Sequence, residues 1–193
     1  MPDAKQVGSS LERDLRDLEV LRDFFAGPPT LATWERLRVL VDSDPAWAVI
    51  DDAVRSPCDS VELRSEWMRL FEGPGRFPVP LYGSVYLDDG LLMGSSTRSV
   101  REFYQRWGVE PVASIPADHL AFELGFLGFL TSRISAGGEG LNGEPSIQAR
   151  ARFAGQWMLP WLVTMSDSLK KAHADALFVG VAEVLLAVIE RLA

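Results

Sequence analysis

Apolar residues recur at helical spacing along most of the chain. The first stripe runs from Leu11 to Phe25 and ends at Gly27-Pro28-Pro29. Residues three or four positions apart share one face of a helix, so this pattern predicts an amphipathic helix. Ser9, three residues before Glu12, fits a capping box at its start.

Further stripes predict a succession of helices, each with a recognisable start signal. Thr30 caps a second helix carrying Trp34, and Asp44-Pro45 opens a third. Asp59 and Glu62 open a fourth that runs through Trp67 to Gly73, Ser95 or Ser96 starts a fifth, and Pro116 begins a very apolar sixth. A helix from Ser146 is interrupted or kinked at Pro160, and the last covers Asp175 to Leu192.

One stretch breaks the helical pattern. The residues from Gly73 to Pro80 contain too many prolines and glycines for a regular helix or a central strand. Asp89-Gly90, between two short apolar runs, is a hairpin signature. The helices on both sides instead favour a long irregular loop up to about Gly94. A loop of this length in a compact domain is usually functional.

The chain of 193 residues predicts a single all-α domain. A Gly-rich hinge at 137–145 joins an N-terminal helical bundle, 1–136, to the C-terminal helices, 146–193. Such a hinge permits the last helices to exchange between protomers, so we expect a monomer or a helix-swapped homodimer.

Composition makes several classes of binding partner and several kinds of site improbable for this chain. The formal charge of −8 disfavours nucleic acid and anionic lipid as partners and favours basic ones, although it is also enough simply to keep a protein in solution. Cys58 is the only cysteine, so an internal disulfide or a cysteine-based zinc cluster is excluded. The polar N-terminus has no signal-peptide pattern, and the apolar run Ala176–Ile189 is too short to span a bilayer. We therefore expect a cytoplasmic protein.

No catalytic or metal-binding constellation is visible. Gly138 to Gly143 fits G-x-G-x-x-G, but a helical pattern rather than a strand precedes it, which favours a hinge over a nucleotide site. The two histidines, His119 and His173, lack partners at metal-ligand spacing. We predict no enzyme activity, no metal and no cofactor. A small nucleotide-binding enzyme is the less favoured alternative.

Aromatic residues cluster on either side of the proline-rich break. Trp67, Leu70 and Phe71 end one helix, and Tyr82 and Tyr86 follow the break. They are suited either to lining a groove for an apolar peptide with a basic end or to filling the core. Pro116-Ala117-Asp118-His119 is also a well-formed helix start, with a carboxylate favourably placed in the first turn.

Three ordered motifs resemble one family. Trp67-x-x-Leu70-Phe71 matches the aromatic-x-x-Leu-Phe motif of the TorD/DmsD/NarJ family of redox-enzyme maturation chaperones. Pro116-Ala117-Asp118-His119 matches its Glu-Pro-x-Asp-His motif in all but the first residue, where Ile115 stands. Leu159-Pro160-Trp161 is similar to its His-Leu-x-Pro-Trp segment, with Trp157 where the family often has His. The stretches 70–74 and 83–88 look most like the DmsD branch.

The resemblance implies an all-α chaperone without chemistry of its own. Such a protein binds the twin-arginine signal peptide of a molybdenum-cofactor oxidoreductase subunit and delays export until cofactor insertion and folding. An adaptor that binds a folded redox-enzyme subunit is the alternative. The predicted signal-peptide site comprises Trp67, Leu70, Phe71, Tyr82, Ser84, Tyr86, Pro116, Asp118 and His119. Aromatic residues would contact the apolar leader segment, Asp118 would contact arginine or order the loop, and His119 would position the loop.

Overall fold

The computed structural model describes residues 4–56, 60–72, 78–111 and 115–193, apart from the side chains of residues 4, 5 and 7. Their regular structure is helical, with isolated bridges at Tyr82–His119 and Glu139–Pro145, so the predicted all-α class is confirmed. The helices are α1 (Ala4–Phe25), α2 (Leu31–Ser43), α3 (Asp51–Arg55), α4 (Ser60–Trp67), α5 (Gly83–Leu87), α6 (Ser95–Gln105), α7 (Leu120–Ile134), α8 (Ser146–Arg152), α9 (Leu159–Lys171) and α10 (Ala176–Leu192). A 3₁₀ turn, Pro45–Ile50, precedes α3, and wider π turns, Met68–Glu72 and Phe153–Met158, extend α4 and α8.

The core lies where α1 and α7 pack along each other and where α10 covers α1 and α9. The apolar stripe of α1 supplies Leu18, Leu21 and Phe24, all essentially buried. Helix α7 is apolar on most of its faces because it lies between α1, α8 and the π turn that follows α8. No helix in the described parts of the chain is long and apolar enough to cross a bilayer.

Local start signals place several helices where the sequence predicts them. Thr30 caps α2 through the Thr33 amide, and its own amide donates to the Thr33 hydroxyl, which confirms the cap. The Asp44 carboxylate accepts from the Ala46 amide at 3.0 Å, as expected for Asp-Pro. Asp175 likewise caps α10. These caps satisfy amide groups that have no partner within the helix itself.

Other predicted boundaries are wrong. Helix α1 begins at Ala4, so Ser9 lies inside it and bonds back to Gln6. Helix α7 begins at Leu120 with His119 as its N-cap, so Pro116 begins a turn rather than the helix. The predicted start at Asp59, the residue Cys58 and the segment from Gly73 to Phe77 lie outside the described residues.

The region predicted as an irregular loop contains α5, and its tip is a turn rather than a hairpin. The Asp118 carboxylate accepts from the Ser84 amide in the first turn of α5, so a distant contact supports this short helix. Near Pro160, the chain takes the π turn before α9, and Pro160 occupies the second position of α9, where a proline costs no hydrogen bond.

The Gly-rich segment folds as a compact turn against the end of α6. The Leu141 amide donates to the Arg106 carbonyl at 2.7 Å, and the Ser146 amide donates to Gly138. The preceding element is α7, so the strand that a dinucleotide fingerprint needs is replaced by a helix. Hinge motion and helix exchange stay predictions.

Candidate functional site

The two motif segments beyond the proline-rich break meet at one junction. The Gly83 amide donates to the Asp118 carbonyl at 3.0 Å, and the Leu120 amide donates to the Leu81 carbonyl at 2.9 Å. The rings of Tyr82 and His119 pack edge to face, with centroids 5.0 Å apart. Two segments that are far apart in sequence are therefore held as one rigid unit, which we call the junction (residues 81–87 and 116–120).

The side chain of Asp118 is buried on the inner side of this junction, with 1% of the residue's surface exposed. Its Oδ2 accepts from the Ser84 amide at 2.7 Å, and the Ser84 hydroxyl accepts from the Met93 amide at 3.3 Å. The carboxylate therefore orders α5 and the loop behind it. Its burial leaves it no access to a ligand in this conformation.

His119 acts as a helix cap at the junction. Its Nδ1 accepts from the Ala121 amide at 3.2 Å, which satisfies an amide at the start of α7. Burial lowers the pKa of His119, while nearby Asp118 opposes that shift. A lowered pKa favours the neutral ring, the form that can accept this hydrogen bond.

Tyr86 is anchored at both ends. Its hydroxyl donates to the Pro80 carbonyl at 2.9 Å, and its ring stacks on Trp161 with centroids 5.6 Å apart. A side chain at Gly83 would bring a Cβ within 3.0 Å of the Trp161 Nε1, so the glycine allows this close approach. Desolvation by burial raises the pKa of Tyr86, which keeps the phenol protonated.

An exposed apolar stretch begins at Leu87, the last residue of α5, and continues into the loop that follows. Leu87, Leu91, Leu92 and Met93, which we call the apolar rim, all present substantial surface, with Leu91 and Met93 each 64% exposed. Met93 has a positive φ of 63°, a costly conformation for a residue with a side chain. The bond from its amide to Ser84 helps to hold that conformation and ties the rim to the buried Asp118.

The prediction that Trp67, Leu70 and Phe71 line a groove is wrong in this structure. Each is at most 2% exposed, because residues at this spacing share one helix face and that face is turned into the core. The Phe71 ring packs against Phe25 and Phe178, with centroids 6.0 Å apart in both cases. These residues fill the core and fix the position of α4.

A buried carboxyl at Glu123 was missed by sequence reasoning. Both of its carboxyl oxygens lack hydrogen-bond partners among the described residues, as do Asp118 Oδ1 and Trp161 Nε1. Burial raises the pKa of Glu123 well above its usual range, and the charge of Asp118 adds to the rise. Trp161 lies close enough to oppose that rise, but its contact does not have hydrogen-bond geometry. The available signal was a lone carboxylate one turn after His119 in an otherwise apolar helix.

The site offers apolar and aromatic surface rather than reactive groups. Within the described residues, no set of three or more His, Cys, Asp or Glu side chains is arranged to hold a metal. The junction supplies a rigid aromatic platform from Tyr82, Tyr86 and His119, with Pro116 partly exposed at its edge. The rim beside it supplies exposed apolar side chains. Such a combination suits the binding of an apolar peptide segment.

Comparisons with known proteins agree on one family. The family model described as "Nitrate reductase delta subunit" matches residues 42–167. Chaperone protein TorD of Vibrio cholerae is 30% identical over 133 residues, and the chain spans only about 60% of the length of that relative. The Tat proofreading chaperone DmsD of Salmonella typhimurium is 30% identical over 107 residues, which are 50% of this chain and 52% of that protein.

A structural relative extends the likeness to nearly the whole chain. A protein of Archaeoglobus fulgidus, described as a redox enzyme maturation protein, superposes with a TM-score of 0.58 over 91% of this chain and 93% of its own. At 18% sequence identity, this similarity supports the fold alone. The sequence relatives include TorD and DmsD at the same identity, so assignment to the DmsD branch stays a prediction.

Proposed function

Because this chain belongs to the TorD/NarJ family, whose model is described as nitrate reductase delta subunit, we propose that it is a chaperone for the maturation of a molybdenum-cofactor oxidoreductase. It binds the twin-arginine signal peptide of the client subunit and delays export until the cofactor is inserted and the subunit has folded. It catalyses no reaction and needs no cofactor for this role.

The observation that supports this function best is the apolar rim beside the rigid junction. A signal peptide has a weakly apolar h-region, and burying it against Leu91, Leu92 and Met93 removes apolar surface of both partners from water. Each Å² buried contributes about 25 cal/mol before ordering costs. Because the leader is unstructured until it binds, that cost keeps the affinity moderate and permits release.

The negative charge of the protein favours binding of the basic n-region, the other part of the leader. The chain carries a net charge of −8, and the n-region of a twin-arginine leader is basic. Opposite charges speed the encounter and set the orientation of the peptide. This contribution weakens as salt rises, whereas apolar burial at the rim does not.

The burial of several site residues leads us to propose different roles for them. Direct contact with the leader falls to Tyr82, Tyr86, Pro116 and His119, whose side chains are partly exposed, together with the rim. Asp118 and Ser84 position the loop from beneath. Trp67, Leu70 and Phe71 act through the core that supports the junction.

Titration of a fluorescently labelled twin-arginine leader tests this function by anisotropy. We expect the parent to bind and the double variant Leu92→Ser/Met93→Ser to lose about tenfold in affinity, because apolar contact surface is lost. Leu141→Ser is the matched control, since Leu141 is 81% exposed in the Gly-rich turn. No binding by the parent, or equal loss in the control, contradicts the proposal. Binding of a leader-deleted client subunit, without binding of the leader itself, identifies the adaptor instead.

A further inference from the structure

Three buried side chains with unpartnered polar atoms lie close together on the inner side of the junction. One oxygen of Asp118, both carboxyl oxygens of Glu123 and the indole Nε1 of Trp161 have no hydrogen-bond partner among the described residues. Each of these residues is at most 1% exposed. Both Asp118 and Trp161 lie near enough to Glu123 to influence its pKa. Unpaired polar atoms are rare in protein interiors, so such a cluster points to a role other than packing.

A chain of hydrogen bonds connects this cluster with the proposed leader surface. Asp118 Oδ2 accepts from the Ser84 amide at 2.7 Å, which fixes the first turn of α5. The Ser84 hydroxyl in turn accepts from the Met93 amide in the apolar rim at 3.3 Å. Glu123 lies in the first turn of α7. A change at Glu123 that moves Asp118 is therefore transmitted to Ser84 and to the rim.

The surroundings of the two carboxyl groups favour different protonation states. The Ser84 amide donates to Asp118, and a hydrogen bond of this kind stabilises an ionised carboxylate. Glu123 receives no hydrogen bond within the described residues, and burial, followed by the charge of Asp118, raises the pKa of Glu123 well above its usual range. Two charges so close together in a buried position are costly, so the pair holds one proton, on Glu123.

We propose that Glu123 is a positioning residue of the leader site, whose neutral carboxyl allows Asp118 to hold Ser84 and the rim in place. When Glu123 loses its proton, a second negative charge is buried beside Asp118. Conformations in which water reaches both carboxylates then become favourable, and in these conformations Asp118 releases the Ser84 amide. This inference rests on the proposed function and adds control of the same surface by pH.

The other titratable side chains around Glu123 keep one protonation state between about pH 7 and 9. Burial lowers the pKa of His119, so its ring is already neutral in this range. Burial raises the pKa of Tyr104 well above its usual range, and it also raises the pKa values of Tyr82 and Tyr86, so these phenols keep their protons. Glu123 is therefore the group at the junction whose ionisation a titration in this range detects.

Charged groups on the other helices packed against α7 contact different parts of that helix. Glu19 and Arg22 of α1 line a groove with Gly125. That glycine lies two positions from the buried carboxyl, about 200° around the helix and so on its opposite side. Arg150 of α8 donates to the Thr131 hydroxyl at 3.5 Å, about two turns further along α7.

Leader titrations at pH values from about 7 to 9 test this role by fluorescence anisotropy. The leader carries a pH-insensitive fluorophore and no ionisable group other than arginine, so its own charge stays constant. Glu123→Gln keeps a neutral side chain of the same shape that cannot ionise. Glu123→Leu removes the same titration without placing an amide in the core, and it serves where that amide is not tolerated.

The matched control is Glu139→Gln, which removes an exposed carboxylate from the Gly-rich turn. Thermal unfolding at each pH confirms that every protein compared is folded. We expect the Kd of the parent and of the control to rise about three- to tenfold across the range, because only molecules with a neutral Glu123 bind with full affinity. Both Glu123 variants should instead show a Kd that changes by less than about twofold.

A flat profile in the parent, or a rise that Glu123→Gln and Glu123→Leu reproduce, overturns the positioning role and leaves the proposed function intact. If the parent binds the leader at no pH, the proposed function fails and the inference falls with it.

Discussion

Two groups of buried carboxylates differ in how they are partnered. In the first, on α1, Asp14 accepts from Arg150 at 3.0 Å and from Arg191 at 3.1 Å. Asp17, fully buried, accepts from Trp47 Nε1 at 3.2 Å and from Arg191 at 2.9 Å. In the second, beneath the junction, Asp118 has one satisfied oxygen and Glu123 has none among the described residues.

The paired group stabilises tertiary structure. Its hydrogen bonds join α1 to the 3₁₀ turn before α3, to α8 and to α10, which are separated by as many as 177 residues. Burying charges is costly, but each carboxylate here has cationic partners that offset the cost. This group therefore fixes how the two ends of the chain pack together.

The carboxylates without full hydrogen bonding, Asp118 and Glu123, lie where binding as well as stability constrains the sequence. Glu123 and Asp118 sit under the surface that we propose binds the leader, and an unsatisfied buried polar group costs stability. Binding sites are where such exceptions to ordinary core packing are expected. Buried carboxylates therefore serve two purposes in this protein. Asp14 and Asp17 hold helices together, whereas Asp118 and Glu123 lie under the surface that we propose binds the leader.

Asp17→Ala makes the sharpest test of the paired group. We expect it to lower the free energy of unfolding by about 3 kcal/mol, because the buried Trp47 indole loses its acceptor and Arg191 keeps only Asp14 as a carboxylate partner. Urea denaturation measures this loss. Asp23→Ala, which breaks a more exposed pair with Arg36, is the control and should cost about 1 kcal/mol or less. Comparable small losses in both variants would show that the buried network contributes little.

The buried network around Asp17 shows which parts of the fold can be predicted from the sequence. Helices and caps such as Thr30 and Asp44 were predictable, because their signals lie within a few residues of one another. The partners of Asp17 were not, since Trp47 and Arg191 are distant in sequence and periodicity carries no information on which helices meet.

Some features of the candidate site were likewise predictable from the sequence, and others were not. The segments near Tyr82 and Asp118 were predicted to share one site, and they do lie side by side, although their role in binding stays a prediction. For Trp67 and Phe71, helical spacing shows only that they share a face. It does not show whether that face is turned inward. A lone carboxylate in an apolar helix marks Glu123 as unusual, but the sequence does not show its surroundings, because Asp118 comes from the turn before α7 and Trp161 comes from α9.

Glu123→Leu tests the unpaired group, with an intermediate expected effect. Removing the unsatisfied carboxyl should raise the free energy of unfolding at pH 8 by about 1–3 kcal/mol. The pKa of Glu123 is raised in the folded state, so the folded protein holds a proton that the unfolded chain releases above about pH 4.5. The parent therefore loses stability as the pH rises from about 4.5 towards the raised pKa of Glu123 in the folded protein.

Denaturant unfolding at several pH values between 5 and 9 measures this effect. The stability gain from Glu123→Leu should grow with pH, because only the parent carries the proton-linked loss. A gain that is constant with pH would show that Glu123 is charged in the folded protein, and a net loss would show that its carboxyl has a stabilising partner.

Of all these variants, Asp118→Asn is expected to have the smallest effect. Comparing its leader binding with that of Asp118→Ala distinguishes the two roles proposed for Asp118. If Asp118 orders the loop, Asp118→Asn should bind the leader within about twofold of the parent, since an amide oxygen can accept the same Ser84 hydrogen bond. Asp118→Ala removes that acceptor and should weaken leader binding more than Asn does. If Asp118 instead contacts a leader arginine through its charge, Asn and Ala should weaken binding alike. Leader titration of both variants decides between the roles, and with 1% of the residue exposed we expect the loop-ordering result.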